Sequence, residues 1–153
     1  MGPIGIFDSG IGGLTVARSA CDLLPNESIL YFGDTAHLPY GEKSPELIRK
    51  YSTRIALHLV NSGCKAIVVA CNSASSNALE QVSQAVGPSI PVIDMVNPVV
   101  ESLYSGSQSS GSIGLIGTRA TISSGLYSAV VNELNSRGGA SFTLKSRPTP
   151  LLA

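Results

Sequence analysis

The stretch AIVVACNSASSN, Ala66 to Asn77, runs apolar, meets Cys71 and then turns small and polar. If Cys71 closes a strand while Asn72 and Ser73 open a helix, its thiol lies at the positive end of a helix dipole, which favours thiolate and lowers the pKa. Such a thiolate is a nucleophile or a base. The other reading is a small core hydrophobe. Cys21, on an apolar helix stripe, and Cys64, ahead of a strand, are read that way, and the residues alone leave both readings open for Cys71.

Three further stretches carry polar chemistry. In IFDSGIGGLT, Asp8 and Ser9 follow an apolar run, and Gly10, Gly12 and Gly13 open a helical pattern. Amides freed by those glycines suit a small anion such as a carboxylate; the alternative is a tight turn capped by Asp8. The spacing is neither GxGxxG nor a GK[ST] loop, which disfavours a dinucleotide or triphosphate. In YFGDTAHLPYGEKS, Tyr31 to Ser44, a long loop follows Gly33 and Asp34, with Pro39, Tyr40 and Gly41 giving shape and backbone donors. His37 is a candidate base there, against a solvated loop histidine. In IGLIGTRATISSGLY, Ile113 to Tyr127, Thr118 and Thr121 stand beside a helix start. Capping accounts for Thr121, and Thr118 is the better candidate to reach a ligand.

These stretches need elements to hold them. Apolar β-branched runs occur at Ile4–Phe7, Ile29–Phe32, Ala66–Ala70, Val92–Ile93, Ile113–Ile116 and, more weakly, Phe142–Leu144, alternating with helical patterns. That order predicts an α/β fold, a parallel sheet flanked by helices on both faces, with the four stretches at strand carboxyl ends. One helical stripe is Leu14, Ala17, Cys21 and Leu24. A second is Ile48, Tyr51, Ile55 and Leu59, entered through Ser44 as N-cap and Pro45 at N1, an entry repeated by Asn97 and Pro98. A later stripe, Ile122, Leu126, Val130 and Leu134, stops at Gly138 and Gly139. The polar segment Ser105–Ser112 reads as an exposed loop.

With 153 residues, 43% apolar and 13% charged, the chain has material for one sizeable core. Ten basic residues balance ten acidic ones, so no net field recommends nucleic acid or an anionic membrane as partner. No apolar run approaches the ~20 residues that span a bilayer, and no leader pattern opens the chain; the expected location is cytoplasmic. Three cysteines without CxxC spacing favour reduced thiols over disulfides or zinc. A neutral site with amides, hydroxyls, a carboxylate and one thiol suits a small amino or carboxylic acid.

Together IGIFDSGIGGLTV, YFGDTAHLPYGEKS, ACNSAS and IGLIGTRATISSGLY resemble the glutamate racemases of the cofactor-independent aspartate/glutamate racemase superfamily. The resemblance covers essentially the whole chain, with the motifs in family order. It implies two pseudo-symmetric lobes with glutamate between them, no cofactor or metal, and one catalytic cysteine from each lobe. Residues 1–96 would form the first lobe and 97–153 the beginning of the second. Cys71 corresponds to the first-lobe acid/base, with Asp8 assisting proton transfer. Asp8 and Ser9, Tyr40 and Gly41, Asn72 and Ser73, and Thr118 correspond to substrate contacts. Ser73 is usually threonine in the family and keeps the hydroxyl. The D-glutamate formed would supply peptidoglycan.

Family members continue beyond RPTPLLA with a Cys-Thr-His segment that carries the second cysteine, and these 153 residues hold no such segment. Inversion at an α-carbon needs a base on each face. Neither His37 nor His58 is a persuasive substitute. For these residues taken alone the expectation is binding of an acidic amino acid or a partner protein, or one-sided α-proton exchange, rather than efficient racemisation. Apolar surface left uncovered would also favour a homo-oligomer.

Overall fold

A computed structural model describes residues 2–105, 110–137 and 141–149. The central strand, β1 (Ile4–Asp8), pairs in parallel on one side with β2 (Ile29–Gly33) and on the other with β3 (Ala66–Val69), which in turn pairs in parallel with the short β4 (Val92–Ile93). The sheet order is β2-β1-β3-β4.

Alternation along β1 and β3 sends apolar side chains to both faces, as a sheet covered on both sides requires. Ile6, Val68 and Ala70 face α1 (Leu14–Leu23) through Val16, Ala17 and Ala20. Phe7, Ile67 and Val69 face α2 (Pro45–Asn61) and α3 (Asn72–Val86), meeting Ile48, Ile55, Leu59, Ala74, Ala78 and Val82. Ser44 caps α2, its Oγ accepting from Leu47 N at 3.4 Å, with Pro45 in the first turn as the sequence predicts.

A second sheet is built by β5 (Ser110–Gly117) and β6 (Ser141–Pro148), again parallel. It is covered by α4 (Asn97–Tyr104) and α6 (Leu126–Ser136) around Val96, Val100, Val131 and Phe142. Between β5 and α6, α5 (Arg119–Ser123) turns back toward the first sheet: Asn77 Nδ2 donates to Ala120 O at 3.1 Å. Among the described residues no helix is long and apolar enough to cross a membrane.

Four sequence expectations are corrected. The stripe on α1 is displaced: Leu14, Cys21 and Leu24 are exposed, because small Ala17 and Ala20 let the helix lie close on the sheet. Asn97 is inside α4 rather than its cap, and Asp94 takes the capping role, its Oδ1 accepting from Val96 N at 2.6 Å and Asn97 N at 2.8 Å. The stripe from Ile122 to Leu134 is two helices, broken at Gly125, whose φ of +70° no other residue adopts cheaply. Ser110, Gly111 and Ser112 belong to β5 rather than to a loop, while residues 106–109 and the stop at Gly138 and Gly139 lie outside the described residues.

Exposure therefore separates two residues assigned to the core by sequence. Leu59→Ala removes a fully buried side chain and is expected to cost about 2–5 kcal/mol in chemical denaturation. Cys21→Ala should stay within about 0.5 kcal/mol of the parent. A larger loss at position 21 would contradict the helix orientation.

Candidate active site

Parallel pairing brings the carboxyl ends of β1 and β3 to the same edge, so Asp8 and Cys71 emerge side by side. Between them lies a cavity of about 600 Å³. Asp8, Ser9, Tyr40, Gly41, Cys71, Asn72, Ser73 and Thr118 are among the residues that line it. The substrate contacts implied by the resemblance are thus brought to one cavity, together with Met95 after β4, which sequence reasoning missed, whereas His37 and Thr121 do not line it.

The glycine turn differs from the anion cradle it resembles. Asp8 Oδ2 accepts from Gly10 N at 3.1 Å and Gly13 N at 3.2 Å, so the protein's own carboxylate occupies the amides. Close packing makes Gly13 necessary. A Cβ on Gly13 would come within 2.7 Å of Asp8 Cβ and 2.9 Å of Ala70 Cβ. Tyr31, from β2, donates to Gly10 O at 3.0 Å and ties the turn to the sheet. Its phenol is pushed up to about 12, by burial first and then by Asp8 and Cys71, so it stays a donor.

Cys71 stands immediately before α3, 5% exposed, its thiol 3.5 Å from Ser9 Oγ. The dipole argument anticipates a lowered pKa, and the surroundings reverse it. Burial pushes the thiol up, the Ser9 hydrogen bond pulls it down, and the Asp8 carboxylate pushes it up again. The balance favours the protonated thiol. Cys64 is also buried, but against Gly5 in the core, and Cys21 is exposed on α1. Of the three cysteines, Cys71 alone lines the cavity.

The loop after β2 is anchored from below. Tyr40, 1% exposed, donates to Asp34 Oδ2 at 2.6 Å, and burial together with that bond holds the phenol protonated far above its ordinary range. His37 bonds the other Asp34 oxygen at 2.7 Å and stacks on Tyr51 at 4.1 Å between ring centres. It lines a separate cavity with Phe32, Arg54 and His58. The histidine considered as a base is therefore not among the residues around Cys71.

Across the cavity, α5 contributes hydroxyls. Thr118 Oγ1 lies 2.9 Å from Ser73 Oγ and 3.0 Å from Thr121 Oγ1, and Ser73 Oγ lies 3.4 Å from Thr121 Oγ1. The capping roles are exchanged relative to expectation: Thr118 is the N-cap, accepting from Thr121 N at 3.3 Å, while Thr121 is buried behind it. Thr118 also sits against Gly41, where a Cβ would come within 2.6 Å of its side chain. Among the described residues no cluster of three or more His, Cys, Asp or Glu could hold a metal.

A thiol that can be charged or neutral, next to a fixed carboxylate and facing hydroxyl and amide donors, equips an α/β protein for proton transfer on a small polar acid. Residues 15–147 match the family model described as Asp/Glu/Hydantoin racemase, and the chain belongs to that family. A glutamate racemase from Beutenbergia cavernae is 52% identical over 126 residues, 82% of this chain and 43% of the relative. The solved glutamate racemase of Aquifex pyrophilus superposes with a TM-score of 0.84 at 40% identity, covering 99% of this chain and 57% of that one. That of Francisella tularensis, in complex with D-glutamate, gives 0.80 at 39% identity, covering 94% and 52%. The chain thus spans about half the length of the proteins it matches.

The raised thiol yields a direct expectation. In alkylation with iodoacetamide followed by peptide mass analysis, exposed Cys21 reacts first as pH rises, and Cys71 lags with a midpoint above that of a free thiol. Asp8→Asn keeps an oxygen for the Gly10 and Gly13 amides but removes the charge, and should lower the Cys71 midpoint. An unchanged or higher midpoint would show that the Asp8 charge does not act on the sulfur.

Proposed function

We propose that this chain carries the Cys71 side of a cofactor-independent glutamate racemase, with Cys71 as acid/base and Asp8 assisting it. The observation that carries the reading is the meeting of Cys71 and Asp8 in one cavity, in a chain whose family membership is established and whose relatives are named glutamate racemases. In the reaction, the Cys71 thiolate takes the α-proton, forming S–H as Cα–H breaks. The electron pair passes into the α-carboxylate. Donors from Ser9, Asn72, Ser73 and Thr118 hold that carboxylate where charge accumulates, and Tyr40 and Gly41 close the cavity from the loop side.

Ionising a buried thiol beside a carboxylate is costly. A substrate ammonium placed near Asp8 offsets that repulsion, so the thiolate becomes accessible when an amino acid is bound. The proton returned to the opposite face requires a second acid, and neither other cysteine of this chain reaches the cavity. Residues 1–96 are proposed as the first lobe and 97–153 as the beginning of the second, in keeping with the separate sheets. The cytoplasm as location and peptidoglycan as destination of the D-glutamate belong to the same proposal. So does association with a second copy, which the exposed Ile11 and Leu23 support.

Incubation with L- or D-glutamate in heavy water tests the reading. Proton NMR should show deuterium entering the α-position of one enantiomer, with optical rotation falling slowly or not at all, and Cys71→Ala should abolish the exchange. Exchange that survives Cys71→Ala removes Cys71 as the base. Glutamate binding without any exchange favours the alternative of a catalytically incomplete lobe that holds an acidic amino acid.

A further inference from the structure

One polar contact joins α6 to α3 at a residue that lines the cavity, and Tyr127, its donor, has no part in the chemistry above. Tyr127, in the first turn of α6, places its hydroxyl 2.7 Å from Oδ1 of Asn72, the first residue of α3 and the neighbour of Cys71. We propose that Tyr127 is a positioning residue: by donating to Asn72 Oδ1 it leaves the Nδ2 end of that amide facing the cavity as a donor for a ligand carboxylate. The inference rests on the reading of the cavity as a site for an acidic amino acid.

The physical argument concerns the two ends of an amide. Asn72 is exposed and lines the cavity, so an unrestrained side chain presents Oδ1 or Nδ2 with nearly equal ease. Only Nδ2 attracts a carboxylate; Oδ1 repels it. A phenol is a better donor than acceptor because its oxygen lone pair is shared with the ring, so its natural partner is Oδ1. Burial, and then the nearby Asp94 carboxylate, raise the Tyr127 pKa and keep the donated proton in place. The amide is oriented before ligand arrives, and its ordering cost is not charged to binding.

The test combines the free chain with a glutamate titration. The Asn72 side-chain amide resonances, assigned by their loss in Asn72→Asp, should move in Tyr127→Phe without any ligand. D-Glutamate should shift them in the parent chain. Tyr127→Phe should weaken glutamate binding roughly three- to tenfold, the scale of one hydrogen bond, while the fold is retained and the melting temperature falls by no more than a few degrees. Asn72→Asp still accepts from Tyr127 but has no donor, so it should fold as the parent does and lose glutamate. Adding Tyr127→Phe to an Asn72→Ala background should then cost nothing further.

Unchanged amide resonances and affinity in Tyr127→Phe would overturn the assignment. An equal loss in the Asn72→Ala background would do the same, since Tyr127 would then act by some route other than Asn72. A parent chain that binds no glutamate overturns the donor role together with the substrate reading. Movement of the free Asn72 resonances in Tyr127→Phe tells that failure apart from a failure of the orientation.

Discussion

The site depends on the parallel register of β1 and β3. Phe7 lies opposite Val69, both fully buried on the face that meets α2 and α3, and Ile6 and Val68 turn to the α1 face. A slip of one residue would exchange the faces of an entire strand, so the core tolerates a single alignment. That alignment delivers Asp8 and Cys71 to one edge. The residues that secure the core and those that stand in the cavity are consecutive in the chain, and neither group can be shifted without the other.

Electrostatics at that edge run against the simplest expectation for a thiol at a helix start. The dipole of α3 favours charge on sulfur, but removal of water and a neighbouring carboxylate oppose it more strongly. The carboxylate has little freedom to withdraw, since two amides of the glycine turn hold one of its oxygens and Tyr31 holds the turn. The arrangement keeps one negative charge fixed and leaves the other conditional.

Much of this was legible in the sequence because short-range signals carried it. Runs of apolar β-branched residues marked each strand, Ser44 and Pro45 marked the start of α2, and the strand-end position of Cys71 distinguished it from Cys64. The misreadings have physical causes. Spacing alone does not say which side of a helix meets the sheet, and on α1 the contact falls to small Ala17 and Ala20 rather than to Leu14 and Cys21. Thr118 and Thr121 are interchangeable as caps until backbone angles are known. Gly125 was hidden inside a regular apolar period, yet its backbone conformation breaks the helix. The Tyr127–Asn72 contact joins residues 55 positions apart, and no local pattern announces such a pair.

The hydroxyls of Ser73, Thr118 and Thr121 meet at 2.9, 3.0 and 3.4 Å and join α3 to α5. Each hydroxyl has one proton and more than one acceptor position, so the protons of such a triangle can circulate in either sense while the oxygens stay where they are. The seam between the two sheets is therefore a rotor with two hands rather than a rigid clasp. A carboxylate that meets Ser73 or Thr118 opens the triangle at that hydroxyl, whose O–H turns outward while the oxygens stay in place and the helices they join do not part.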